Sequence, residues 1–160
     1  MSQDEIRWIA AARDHNRRAW DARVRSKQRF TQPAPDDDVN ALTQFDAGWL
    51  GSVTGKRVLC LAAGGGRQSA IYAAAGAQIT VVDISPEMLS LDRAVAAERG
   101  FDIRVIETSM DDLSMFVPAS FDVVVQPVST CYVPNVISVY RQVARVTAPG
   151  GLYISQHKQP

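Results

Sequence analysis

The residues best suited to chemistry in this chain of 160 lie between Val58 and Asp83. A short apolar run leads into Ala62-Ala63-Gly64-Gly65-Gly66, and a β-branched run then ends on an acid, Asp83, seventeen residues beyond Gly66. Small side chains let a ligand approach the backbone closely, and glycine takes positive φ at no steric cost. A helix opening behind the cluster would present free N–H groups and the positive end of its dipole, which suit a carboxylate or phosphate. An acid at the end of the neighbouring strand is suited to accept hydrogen bonds from a ribose diol. Together these features predict a site for an adenosine-containing ligand.

Other reactive side chains are few. Two cysteines, Cys60 and Cys131, and two histidines, His15 and His157, have no metal-ligand spacing, so no metal is expected. Cys131 lacks an identifiable histidine partner and Cys60 sits in an apolar run, which reads as an inert core thiol. The run Asp36–Asp38 reads as a solvated loop, with attraction of a cation the alternative, and Asp111-Asp112 does not read as a metal site.

These residues need elements to hold them. Residues 1–30 are rich in Ala and Arg and free of Gly and Pro, and read as a helical arm in which Trp20 and Val24 share an apolar face with Ile9 and Ala12. Residues 31–55 read as a linker, TQPAPDDD, followed by a short amphipathic helix through Leu42, Phe45, Trp49 and Leu50. From 56 to 160 strands and helices alternate. Strands are expected at 58–61, 78–83, 103–106, 121–126 and 152–156, the third and fourth buried on both faces. Helices are expected at 68–75, from Pro86 to Gly100 behind the Ser85 cap, and through Val136–Ala144. This pattern predicts an α/β, Rossmann-like, doubly wound parallel sheet with right-handed crossovers. The strand ends then converge on one rim, which gathers Ala62–Gly66, Asp83, Glu107–Met110, Gln126–Ser129 and His157.

Composition agrees with a single globular domain: 46% of residues are hydrophobic and 21% charged. No apolar run reaches the ~18 residues of a membrane span, and the opening residues lack a signal-peptide core. With its thiols read as reduced, the chain is expected in the cytoplasm. Net charge is zero, so nucleic acid is not an expected partner. Residues 1–30 carry eight basic and four acidic side chains; a solvated helix face explains the excess, and attraction of an anionic partner is the alternative.

Two cofactor classes fit the skeleton. A nicotinamide dinucleotide would set its pyrophosphate on Gly64-x-Gly66-x-x-Ser69, whereas S-adenosylmethionine would set its methionine part against the loop. Downstream motifs choose between them. VLCLAAGGG at Val58–Gly66, VVDISPEML at Val81–Leu89, SFDVVV at Ser120–Val125 and VARVTAPGG at Val143–Gly151 resemble, in order and spacing, the class I S-adenosylmethionine-dependent methyltransferases. The resemblance covers about residues 56–156. It implies transfer of a methyl group to a small-molecule acceptor; a NAD(P)-dependent oxidoreductase and a non-catalytic cofactor-binding module are the alternatives.

By position, the resemblance implies that Ala62, Ala63, Gly64 and Gly66 form the cofactor loop and that Asp83 holds the ribose hydroxyls. Ile84 would flank the adenine, Ser109, Met110 and Asp111 would meet its edge, Gln126 would lie beside the methionine moiety, and Met88 is a further expected cofactor residue. Trp20, Tyr132 and His157 are the expected acceptor-side residues. His157 and Tyr132, with His15 behind them, are the candidates for a general base should the acceptor atom be oxygen. The chain departs from the family pattern at Cys60, where an acid is common, at Ala62, where the first glycine stands, and at Ser109, where an Asp often contacts adenine. Family members also continue past the fifth strand with a helix and antiparallel strands. Here that strand would be an apolar edge, expected either to belong to a fragment or to pair with another copy in a homodimer.

Overall fold

The structure is a computed structural model that describes residues 2–33 and 50–157. The linker acids Asp36–Asp38 and most of the short helix expected through Leu42, Phe45 and Trp49 lie outside the described residues.

The leading arm is one helix, α1 (Gln3–Arg25), opened by a capping box in which the Ser2 hydroxyl accepts from Glu5 N and the Glu5 carboxylate accepts from Ser2 N. The alternating part follows as β1 (Arg57–Leu61), α2 (Arg67–Ala74), β2 (Gln78–Asp83), α3 (Pro86–Arg99), β3 (Ile103–Glu107), β4 (Phe121–Gln126), α4 (Val136–Val146) and β5 (Thr147–Ser155). A single turn of 3-10 helix, Thr130–Tyr132, lies between β4 and α4. All strand pairs are parallel, in the order β3-β2-β1-β4-β5. Strand order therefore reverses between β1 and β4, and ligands of such sheets bind at that switch point.

Period-two alternation sorts the core into two layers. Val58 and Cys60 of β1 pack with Tyr72 of α2 and Leu89 of α3, while Leu59 and Leu61 face Val139, Val143 and Val146 of α4. Val58, Leu59, Cys60 and Leu61 are all fully buried, so β1 is the central beam of the domain. Each such Val or Leu contributes roughly 1.5–3 kcal/mol of hydrophobic burial. No crossover helix joins β3 to β4; the loop between them lays Leu113 and Phe116 over the α4 side instead.

Two strands differ from expectation. β3 is an edge strand, half-buried rather than buried on both faces, because among the described residues it pairs only with β2 and leaves Arg104 and Glu107 in solvent. β5 starts at Thr147, well before Leu152, and absorbs the Pro149-Gly150-Gly151 turn through a register irregularity opposite Phe121 and Val123. Its other edge faces away from β4, with Leu152 40% exposed. No helix among the described residues is long and apolar enough to cross a membrane.

Candidate cofactor-binding site

The loop from β1 to α2 turns sharply over the end of the sheet. Ala62 sits at φ +48 and donates its N–H to the Val82 carbonyl at 2.7 Å. Gly64 has no room for a side chain: a Cβ there would lie 2.8 Å from Met88 Cβ and 3.0 Å from an Asp83 carboxylate oxygen. Gly66 stands at φ +76, and a Cβ would meet Val95 Cγ2 at 2.8 Å. Tight packing on α3 thus requires glycine at both positions, independently of any ligand.

Three consecutive loop amides end on carboxylates. Gly64 N donates to Asp83 Oδ2 at 2.9 Å, Gly65 N to Asp92 Oδ2 at 2.9 Å and Gly66 N to Asp92 Oδ1 at 3.1 Å. The Ser69 hydroxyl adds a third partner to Asp92. The loop amides of Gly64, Gly65 and Gly66, just ahead of α2, are therefore already engaged, the last two by an acid that reaches them from α3. Asp92 was not foreseen as part of the site. Its signal is an acid in the buried stripe Met88, Leu89, Asp92, Val95 of an otherwise amphipathic helix. Burial pushes the Asp92 carboxyl up to about 6, against the pull of its Ser69 and loop hydrogen bonds. Asp83 is raised for the same reason, its bonds from Ser85, Gly64 and Ile84 opposing the rise. Burial, then the neighbouring Asp92, raises the Cys60 thiol, which makes it unreactive.

A cavity of about 1000 Å³ opens above this loop. Ala62, Ala63, Gly64, Asp83, Ile84, Met88, Ser109 and Met110 of the expected cofactor residues line it, as do Trp20 and Tyr132. The volume lies at the upper end for small-molecule pockets. Asp83 accepts from Gly64 N and Ser85 N, each at 2.9 Å, and a carboxylate can accept further bonds. Ile84 and Met110 add apolar surface to the same cavity. An acid, small loop residues and flanking apolar surfaces fit the ribose, close backbone approach and adenine of an adenosyl group.

Four expected residues stand back from the wall. Gly66 is turned into its contact with α3. Gln126 is fully buried, with its Oε1 accepting from Tyr153 OH and its Nε2 donating to Ser129 Oγ at 2.9 Å. Asp111 faces α1, where it accepts from Arg13 Nη2 at 2.8 Å and from the Ser109 hydroxyl. His157 is exposed, 3.4 Å from Thr130 Oγ1, and lines a shallow groove with Tyr140 and Tyr153. It does not line the main cavity, whereas the preceding Gln156 does. His15 is exposed on α1 and does not line it either.

The arm covers the cavity. Asp21, the one buried residue of α1, accepts from the Ser85 hydroxyl at 2.6 Å. Arg13 reaches Asp111, Asn16 Nδ2 donates to the Tyr132 carbonyl at 2.6 Å, and Arg25 pairs with Glu87 at 3.3 Å. Trp20 meets the Tyr132 ring edge-on at 5.8 Å. Sequence reasoning named Trp20 and missed the polar contacts that seat it, since each joins residues far apart in the chain. No group of three or more His, Cys, Asp or Glu among the described residues could hold a metal ion.

A doubly wound sheet with this loop, acid and cavity at its switch point defines a nucleoside-cofactor domain. Comparison with known proteins gives the particular kind. A family profile described as a methyltransferase domain matches residues 59–155. The chain is 37% identical over 158 residues to YbaJ, an uncharacterized methyltransferase of Bacillus subtilis (strain 168), covering 91% of this chain and 62% of that protein. It is 33% identical over 117 residues to the ubiquinone biosynthesis O-methyltransferase of Bordetella pertussis (strain Tohama I), covering 71% of this chain and 48% of that one. An S-adenosylmethionine-dependent methyltransferase structure from Mesorhizobium loti superposes with a TM-score of 0.59 at 28% identity, over 66% of this chain and 48% of that one. The chain belongs to the class I S-adenosylmethionine-dependent methyltransferase family, whose cofactor is S-adenosylmethionine. It spans 62% and 48% of the length of these two relatives.

Proposed function

We propose that the domain transfers the methyl group of S-adenosylmethionine to a small-molecule acceptor in the cytoplasm. The observation that carries this reading is the pair of buried acids under the loop. A dinucleotide would need the loop amides for its pyrophosphate. Here Asp83 and Asp92 take up Gly64, Gly65 and Gly66, and their charge would repel a phosphate. The methionine end of S-adenosylmethionine instead brings a sulfonium and an ammonium, which two nearby carboxylates favour.

In this reading Asp83 holds the ribose diol, Ile84 and Met88 flank the adenine, and Ser109 and Met110 meet its edge. Gln126 and Asp111 act from behind, Gln126 by fixing Ser129 and Met110, and Asp111 by tying α1 over the site through Arg13. The cofactor, when bound, supplies an activated methyl group that the acceptor's nucleophilic atom takes, leaving S-adenosylhomocysteine. The chain's own contribution is alignment and exclusion of water, for which the α1 cover with Trp20 and Tyr132 is suited. Those two rings, with Val128 and Ile154 on the same cavity, favour an acceptor with apolar surface. A relative named for an O-methyltransferase in ubiquinone biosynthesis supports a small molecule with an oxygen nucleophile. Among the described cavity residues Tyr132 is then the base candidate, ahead of His157. Self-association through the outer edge of β5 belongs to the same proposal, and sedimentation at several concentrations tests it.

Methyl-labelled S-adenosylmethionine incubated with the protein and a low-molecular-mass extract tests the acceptor class. Label is expected in the small-molecule fraction. Label confined to added protein or nucleic acid would contradict it, and binding without any transfer would favour the non-catalytic module.

A further inference from the structure

Asp92 is a buried acid that the proposed reaction does not use directly. It is fully buried in α3, beneath the loop, between Met88 and Val95 on the apolar side of the helix. A carboxylate in such a stripe disfavours folding unless hydrogen bonds satisfy it. Three of its bonds go to one place: Gly65 N, Gly66 N and the Ser69 hydroxyl. One side chain thus ties the cofactor loop to the first turn of α2. Gly65 lines the cavity, and Asp92 does not.

Building on the cofactor reading above, we propose that Asp92 is a positioning residue for S-adenosylmethionine. Through Gly65, Gly66 and Ser69 its carboxylate sets the loop on which the methionine end rests, and cofactor affinity depends on that charge although the side chain never meets the ligand. The groups facing it are Cys60 of β1 and Asp83 of β2, both electrostatically coupled to it. Protonation removes the charge that strengthens these bonds and makes one carboxyl oxygen a weaker acceptor, so the hold on the Gly65 and Gly66 amides loosens.

The glycine amides themselves separate the two acids, because Gly64 reports on Asp83 while Gly65 and Gly66 report on Asp92. A single test uses the wild-type chain with nitrogen-labelled glycine, titrated from about pH 8 to about pH 5, either side of the raised Asp92 value. Gly65 and Gly66 resonances should titrate together. Calorimetric affinity for S-adenosylhomocysteine should fall along their curve, by up to about tenfold per pH unit below the midpoint. Asp92→Asn should remove the Gly65 and Gly66 titration and weaken binding about tenfold at neutral pH. A merely structural acid predicts the reverse in acid, since protonation favours the fold and would leave affinity level or higher. Constant affinity across the Gly65 and Gly66 midpoint would overturn the proposal, as would an Asn variant that folds and binds as tightly as wild type. The wild-type titration stands even if that variant fails to fold. If the wild type bound no S-adenosylhomocysteine at neutral pH, the cofactor reading itself would fall.

Discussion

Ala62, Gly64 and Gly66 look equivalent in the sequence, as small residues of one loop, yet they answer to different constraints. Gly66 is held at φ +76 with Val95 2.8 Å from where a Cβ would stand. Gly66→Ala should therefore lose at least ~1–2 kcal/mol from the backbone alone, read as a lowered midpoint in urea unfolding. Ala62 already carries a left-handed φ of +48, so Ala62→Gly should change stability by no more than about 1 kcal/mol, strain relief offsetting the entropy of glycine. Asp83→Ala should cost about 1–3 kcal/mol of cofactor binding if the carboxylate holds the ribose. Unchanged affinity for S-adenosylhomocysteine in a folded variant would remove Asp83 from the site. Asp92 has a stability signature as well. Its folded value of about 6 exceeds the 3.8 of an ordinary Asp, so the folded chain holds a proton there that the unfolded chain releases. Stability from this group is greatest below about pH 4 and falls as pH rises to about 6. Asp92→Asn should flatten that slope in urea unfolding followed against pH. The position of Asp92 in the apolar stripe of α3 hints at burial, but its partners lie more than twenty residues upstream and no local pattern points to them.

At the scale of elements, α1 shows what pattern can and cannot reveal. Its helicity, its capping residue and the half-buried Ile9, Ala12, Trp20 and Val24 follow from local composition. Its seat does not, because Asp21 to Ser85, Arg13 to Asp111 and Asn16 to Tyr132 are each contacts of long range. Of these, Asp21 is the buried one, and it braces the hydroxyl that caps α3. Asp21→Ala should speed hydrogen exchange across α1 while leaving β1 and β4 protected, for a loss of about 1–3 kcal/mol. Equal loss of protection in the central strands would mean that α1 is integral to the sheet. The strands were more legible. β2 and β4 occupy the spans their apolar runs predict, because a central strand's burial is written into its own residues. β3 and β5 were read less well, since burial at an edge depends on what lies across it.

For the whole molecule, parallel strands alternating with helices dictate a doubly wound sheet, and the reversal between β1 and β4 locates the cavity. The loop, Asp83 and Met110 line that cavity, while His157 lines the shallow groove beside Tyr140 and Tyr153. A ligand that binds only the folded domain raises its unfolding temperature. S-adenosylhomocysteine at a hundred times its Kd should add ~2.7 kcal/mol, roughly 5–10 °C for a domain of this size. His157→Ala should leave that shift and any turnover within about twofold, a difference well under 1 kcal/mol. The most direct test of the central claim is calorimetric titration of the purified chain with S-adenosylhomocysteine and, separately, with NAD. The buried acids at Asp83 and Asp92 predict saturable one-site binding of S-adenosylhomocysteine and no heat of binding with NAD. Binding of NAD without S-adenosylhomocysteine would contradict the account.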